Sequence, residues 1–298
     1  MNDIAFIGVG TMATPMAWRF LDRGWRVCLT DPVPDRTTPF ESHRFATVYE
    51  DVESLPKATS FVVLSLPSAS VLDTVVQALA ATPAVDRPVV INTSTVGLSA
   101  ARRAAEVVSA AGYRFVDAPV SGGAAGAEHG RLTVIASGDP ESVDRCAEVF
   151  AVIGEQVFTV GTEPGQAQAM KVANNVLSLG ALAATAEATV ITRKAGIPLD
   201  VALDVLNASS GRNSATAVKF PRHILSARYD FGFPTAGALK DVSLYTELAH
   251  ELGAVAPLGD AVQDCWQHAV AAGYGEDDCT HIVTVYERAA QLSPEAQG

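Results

Sequence analysis

The sequence predicts an α/β chain in which a doubly wound parallel sheet is followed by an all-α C-terminal domain with a long interdomain helix. Three observations carry this reading. Short apolar runs alternate with helical patterns through the first half, and a glycine-rich turn joins the first run to the first helix. Beyond residue 163 the texture becomes helical and rich in alanine.

Taken in order, residues 4–7 read as a strand, 12–23 as a helix ending near Gly24, and 26–30 as a second strand closing on Asp31. Residues 61–66 and 89–92 are continuous apolar runs, the pattern of strands covered on both faces. Residues 113–117 and 132–136 complete the set, with helical stretches rich in Ala and Val between them. Strands alternating with helices imply βαβ units and parallel pairing. Residues 166–195 then form one long helical pattern, which Gly196-Ile197-Pro198 breaks. Residues 200–207, 238–252 and 257–272 are further helices. The boundary falls near Glu163-Pro164, giving domains over 1–163 and 164–298.

Composition narrows the function. A chain of 298 residues with 48% hydrophobic and 18% charged residues is ordered and long enough for two domains. A net charge of -12 argues against a nucleic-acid partner but leaves an anionic substrate open, because a few local cations can dominate a pocket. Cys28, Cys146, Cys265 and Cys279 show no CxxC or metal spacing and read as reduced thiols of a cytoplasmic protein. The histidines form no ligand pattern either, so no metal is expected. No basic segment precedes the first strand, and no signal peptide is read. The charge-free stretch 172–186 imitates a membrane span, but it contains Asn174 and Asn175 and falls short of the ~20 residues a crossing needs. It is expected to be a buried interdomain helix, without a membrane partner.

Gly8-Val9-Gly10-Thr11-Met12-Ala13 fits the G-x-G-x-x-G/A fingerprint of a Rossmann-type dinucleotide site. Its glycines allow a tight turn and close backbone approach to a pyrophosphate, while the helix N-terminus offers unpaired N–H groups. Asp31 stands at the end of the second strand, where a carboxylate accepts hydrogen bonds from ribose hydroxyls and repels a 2′-phosphate. NAD is therefore expected, with NADP possible; Arg36 is the nearest downstream arginine. A second reading of Asp31, as the start of a turn before Pro32, stays open.

Asp117-Ala118-Pro119-Val120-Ser121-Gly122-Gly123, followed by Gly126, Gly130 and Leu132-Thr133, resembles the substrate-binding segment of the β-hydroxyacid dehydrogenases. That family includes 3-hydroxyisobutyrate dehydrogenase and tartronate semialdehyde reductase. The likeness extends through Gly8 to Ala17, Leu66-Pro67, Ser94-Thr95, the helix Gly165-x-Ala167-x-x-x-Lys171-x-x-Asn174-Asn175, Ser209-Ser210-Gly211-Arg212 and Leu239-Lys240-Asp241. Departures are Ala167 for a second glycine, Asn92 for an acid, and Asn213-Ser214-Ala215 where relatives tend to carry an aromatic. The last leaves the substrate open.

The resemblance implies hydride transfer between NAD and a short 3-hydroxy acid, or the reverse reduction of a semialdehyde. Lys171 would be the general acid/base, with Asn175 one helical turn along on the same face. A free lysine pKa of ~10.4 is too high for this work near neutrality, and burial beside a cationic nicotinamide would lower it. Ser121, Gly122 and Gly123 would hold the substrate carboxylate, with Phe231 and Asp241 closing the pocket. Gly8, Gly10, Thr11, Met12, Asp31, Leu66, Pro67, Thr95 and Lys240 would contact the cofactor. The family also implies a homodimer or homotetramer. Blander readings stand beside these: Lys171 as a surface lysine, Lys240 and Asp241 as a solvated pair, Phe231 and Phe233 as core, Arg212 as a turn brace. The alternative functions are an imine reductase, a 6-phosphogluconate dehydrogenase and a non-catalytic NAD(P)-binding scaffold. Lys171 argues against the first and last, and chain length and Asn174-Asn175 against the second.

Overall fold

The computed structural model describes residues 3–56 and 59–292. Through residue 117 the chain runs β1 (Asp3–Ile7), α1 (Ala13–Asp22), β2 (Arg26–Thr30), β3 (Ala46–Val48), β4 (Phe61–Leu64), α2 (Ala69–Ala80), β5 (Val89–Asn92), α3 (Leu98–Ala110) and β6 (Arg114–Asp117), as expected except for β3, a three-residue strand that the apolar pattern did not mark. These strands are parallel and lie in the order β3-β2-β1-β4-β5-β6. The order reverses between β1 and β4, and a crevice at the carboxyl ends of the strands is expected at that switch point.

The strictly period-two side chains of the central strands feed two separate cores. Ile4, Phe6, Val27, Leu29, Val63 and Ile91 pack on one face with Met16, Ala17 and Phe20 of α1. Ala5, Ile7, Cys28, Val62, Leu64 and Val90 pack on the other with Leu72 and Val76 of α2 and Ala104 and Val108 of α3. Burial on both sides is why these strands read as unbroken apolar runs.

The far edge departs from an all-parallel sheet. It contains β7 (Val120–Ser121), α4 (Gly123–His129), β8 (Leu132–Gly138), α5 (Pro140–Arg145), α6 (Ala147–Ile153) and β9 (Gly154–Gly161). β8 runs antiparallel to both β6 and β7, then β9 pairs parallel with β8. Connection length explains the change of direction. Residues 122–131 between β7 and β8 fall short of the dozen or so that a parallel crossover requires, whereas residues 139–153 carry one. β9, which no apolar pattern marks as a strand, is an edge strand with Val157 and Phe158 about half exposed. With no buried face it lacks the alternation by which strands are read.

The remainder is helical: α7 (Gln166–Lys194), α8 (Leu199–Ala208), a π-helical stretch at Ala215–Ile224, α9 (Thr235–Glu251), α10 (Pro257–Ala269) and α11 (Ile282–Ala289). The molecule divides into two compact units between Lys171 and Val172, inside α7. The first turn of α7 is held by the first unit: the Ala167 N–H donates to Ser137 Oγ at 3.0 Å.

By length and composition α7 could cross a membrane. Its apolar positions are those of a core helix instead. Val176, Leu179, Ala183, Ala186 and Val190 recur every three or four residues and enter the second unit's core with Trp266, Phe220 and Val242.

Trp266 is fully buried, and its indole N–H has no partner among the described residues. Trp266→Ala is expected to destabilise the second unit by ~3–5 kcal/mol. Trp266→Phe should cost much less, since it leaves a smaller void and removes the unpaired donor. Urea unfolding followed by circular dichroism checks the order of the two variants.

Candidate active site

The glycine loop sits at the C-terminal end of β1, and its geometry forces glycine at one position. Gly8 has φ +85°, and a Cβ there would lie 2.4 Å from the Ser65 carbonyl oxygen just beyond β4. Gly10 differs: a Cβ added there meets nothing within 4 Å. The first glycine therefore lets two strand ends approach, while the second leaves open space over the loop. α1 begins with no side-chain cap at Met12 and no acidic residue in its first turn. Its leading N–H groups remain available to an anion, with the positive end of the helix dipole behind them. The residues fit a dinucleotide's pyrophosphate.

Asp31, at the end of β2, already has partners within the chain. Its side chain is 1% exposed. Oδ2 accepts the Val9 N–H at 2.7 Å, and Oδ1 accepts the Val33 N–H at 2.9 Å. Arg36, half exposed, lies 3.3 Å from Oδ1. Asp31 thus braces the glycine loop from below and tethers an arginine beside it, neither of which spacing alone conveys.

Two more loops join at the same edge of the sheet. The Leu66 N–H donates to Ser94 Oγ at 2.8 Å, tying the loop after β4 to the loop after β5. Pro67 is exposed and Thr95 half-buried, so both flank this junction with accessible surface.

Below it lies a buried hydrogen-bond network that the motif reading did not single out. Gln168, fully buried in the first turn of α7, donates through Nε2 to Ser94 O at 2.9 Å and Asp117 Oδ1 at 2.7 Å. Its Oε1 accepts the N–H groups of Val96 and Gly97. Asn92 Nδ2 donates to the same Asp117 oxygen at 3.0 Å, and Asn92 Oδ1 accepts the Ser94 N–H. The departure at Asn92 therefore has a physical account: an acid there would confront the Asp117 carboxylate in a dry interior. Burial pushes Asp117 up to about 6, against the hydrogen bonds from Gln168 and Asn92 that favour its ionised form. The signal available in the sequence was Gln168 itself, a polar side chain one turn before Lys171 on the same helix.

The Ser121–Gly123 turn begins on β7 and opens α4. Gly122 (φ +133°) and Gly123 (φ +65°) are exposed, and a Cβ on Gly122 would press on Leu132 at 3.1 Å. Lys171 is buried, 7% exposed, at the end of the first unit's share of α7.

In the second unit Asn175 Nδ2 donates to Asp241 Oδ2 at 2.6 Å, while its Oδ1 accepts from Asn174 Nδ2 at 3.1 Å. Asp241 is buried, and its Oδ1 lies 3.0 Å from Lys240 Nζ. Lys240 and Asp241 thus do not form a solvated pair: the carboxylate fixes the Asn175 amide. Phe231 is 38% exposed with its ring edge-on to His223. Among the described residues no group of three or more His, Cys, Asp or Glu is placed to hold a metal.

A Rossmann-order sheet ending in an open glycine cradle, followed by a helical unit, fits a dinucleotide-binding protein of two parts. Comparison with known proteins gives the family. A model of the NAD binding domain of 6-phosphogluconate dehydrogenase matches residues 3–161. A model of the NAD-binding region of NADP-dependent 3-hydroxyisobutyrate dehydrogenase matches residues 165–286. The chain is 30% identical to 2-(hydroxymethyl)glutarate dehydrogenase of Eubacterium barkeri, over 97% of this chain and 96% of that one. The Mycobacterium tuberculosis 3-hydroxyisobutyrate dehydrogenase structure with L-serine superposes with a TM-score of 0.86 at 27% identity, covering 95% of this chain and 98% of that one. An imine reductase of Streptomyces aurantiacus shares the fold at a TM-score of 0.61 and 21% identity, covering 95% and 99%. The chain belongs to the β-hydroxyacid dehydrogenase family, and its cofactor is NAD or NADP.

Asp117 supplies a pH test. Its folded pKa lies above the unfolded carboxylate value, so its contribution favours folding at low pH and is lost as pH rises from about 4 through about 6. Relative to Asp117→Asn, wild type should gain on the order of 3 kcal/mol between pH 7 and pH 4. Paired urea titrations across that range measure the tilt, and a flat difference would contradict it.

Proposed function

We propose that this chain transfers hydride between NAD and a short 3-hydroxy acid, or reduces the matching semialdehyde, with Lys171 as general acid/base. The observation that carries the reading is one helix bearing a buried lysine and, a turn further on, an asparagine whose amide is fixed by a buried aspartate. Positions four apart on a helix share a face. Bound NAD supplies the hydride acceptor. Lys171 Nζ takes the substrate hydroxyl proton during oxidation and returns it during reduction. Asn175, held by Asp241, keeps the hydroxyl oriented for that transfer.

The exposed N–H groups of Gly122 and Gly123, with the Ser121 hydroxyl, are suited to the substrate carboxylate. Phe231 and Asp241 border the substrate. Gly8, Gly10, Thr11 and Met12 hold the pyrophosphate. Leu66, Pro67, Thr95 and Lys240 border the nicotinamide end. Residues 1–163 serve as the NAD-binding domain and 164–298 as the substrate and oligomerisation domain.

The relatives, together with this turn, support the substrate class. One is named for 2-(hydroxymethyl)glutarate and another is bound to L-serine. Both molecules carry a hydroxymethyl group on the carbon next to a carboxylate. NAD is favoured over NADP because an acid at the end of β2, Asp31, would repel a 2′-phosphate, and the neighbouring cation, Arg36, is already paired with it. A cytoplasmic homodimer or homotetramer is the assembly we favour. Leu177 and Leu258 on the second unit are 72% and 75% exposed, apolar surface of the kind that a partner subunit covers.

Lys171→Ala should lower kcat by about 10²–10⁴-fold on 3-hydroxy acids such as 3-hydroxyisobutyrate. NAD affinity, read by quenching of protein fluorescence, should stay within about twofold. Turnover equal to wild type would remove Lys171 from the mechanism. Asp31→Asn is expected to narrow the NAD-to-NADP ratio of kcat/KM by about tenfold, or ~1.4 kcal/mol. A wild-type preference for NADP would overturn the assignment of Asp31.

A further inference from the structure

One buried cation in the second unit has no acidic partner. Lys219 lies in the π-helical stretch at Ala215–Ile224 and is 4% exposed. Its ammonium donates to Ser178 Oγ at 2.9 Å and Ser214 Oγ at 3.4 Å, and sits 5.2 Å from the centre of the Phe231 ring. Among the described residues no carboxylate lies within ion-pair distance of it. Burial holds this lysine below its ordinary value, and the nearby Cys279 thiol, itself pushed up to about 12, supplies no counter-charge near neutrality. An ammonium buried against two hydroxyls and a ring is costly to maintain unless an anion completes its shell.

The surroundings place this ammonium just under the surface. Ser214 and Phe231 are exposed and Ser178 is half-buried. Ser178 is three residues beyond Asn175 and seven beyond Lys171 on α7, so the three positions form one stripe along the helix. Ser178 stands ~4.5 Å beyond Asn175 along the axis, at 1.5 Å per residue. That matches a short carbon chain running on from the reacting hydroxyl.

We propose that Lys219, Ser178 and Ser214 form an anion subsite that takes a second, terminal carboxylate of the substrate, making the preferred substrate a dicarboxylic 3-hydroxy acid. The inference rests on the reading of Lys171 and Asn175 given above. Ser178 and Ser214 would each donate a hydroxyl hydrogen bond to the carboxylate while Lys219 supplies the charge, and Phe231 would shield the pair from water.

The test compares 2-(hydroxymethyl)glutarate with 3-hydroxyisobutyrate, which lacks the second acid, in wild type, Lys219→Met and Ser178→Ala. Wild type should favour the diacid by at least about tenfold in kcat/KM, the scale of one charge-assisted hydrogen bond. Lys219→Met should erase that preference through KM, leaving the mono-acid within about twofold, and Lys219→Arg should restore part of it. Thermal unfolding shows whether each variant folds; if Lys219→Met does not, Ser178→Ala carries the same comparison with a smaller loss. Binding of glutarate by calorimetry, in the presence of NAD, gives a readout independent of turnover: wild type should bind it and Lys219→Met should not. Equal use of both acids by wild type, or equal losses on both in the variants, overturns the subsite. A wild type that turns over neither acid but binds glutarate through Lys219 would sink the proposed reaction and spare the subsite.

Discussion

The first unit turns on one shared acceptor. Asp117 Oδ1 receives both the Gln168 and the Asn92 amides, and Gln168 in turn holds Ser94, Val96 and Gly97. Through these bonds the end of β5, the end of β6 and the first turn of α7 become one rigid joint. In a dry interior each of these polar groups would be costly if left unmade, so the joint holds together only as a whole. Its position, three residues before Lys171, ties the first turn of α7 to the sheet within the first unit.

Much of the fold was legible because the central strands are buried on both faces and their apolar runs are unbroken. β2 and β5 begin and end where the pattern says they should. What stayed hidden lacked such a pattern: β9 has no buried face, β7 is two residues long, and the reversal at β8 depends on a connection length. Among the candidate site residues, motif spacing located Gly8, Lys171 and Asn175, but not what they touch. That the Asp31 carboxylate lies under the glycine loop, bonded to Val9 and Val33, follows from how β1 and β2 end side by side. That Asp241 fixes Asn175 depends on two residues 66 positions apart meeting in space. Long-range pairs of this kind leave no trace in spacing.

α7 illustrates how a single element can serve packing and chemistry at once. Its apolar stripe from Val176 to Val190 anchors it in the second unit's core around Trp266. Its polar positions Gln168, Lys171 and Asn175 precede that stripe, and Ser178 stands beside its first turn. A long helix without charges between Lys171 and Glu187 thus reads as a membrane span by composition and as a core helix by the positions it buries.

That division has a consequence for how the family can vary. Removing or adding one residue in a helix turns everything beyond it by ~100°. A single-residue deletion between Lys171 and Asn175 would leave Asn175 three positions from Lys171, still a neighbour, but would turn the Val176–Val190 stripe by that angle relative to Lys171. Substitutions along α7 can be absorbed one at a time, but changes of length cannot. α7 is therefore a ruler for the residues it carries, setting the spacing from Gln168 to Val190.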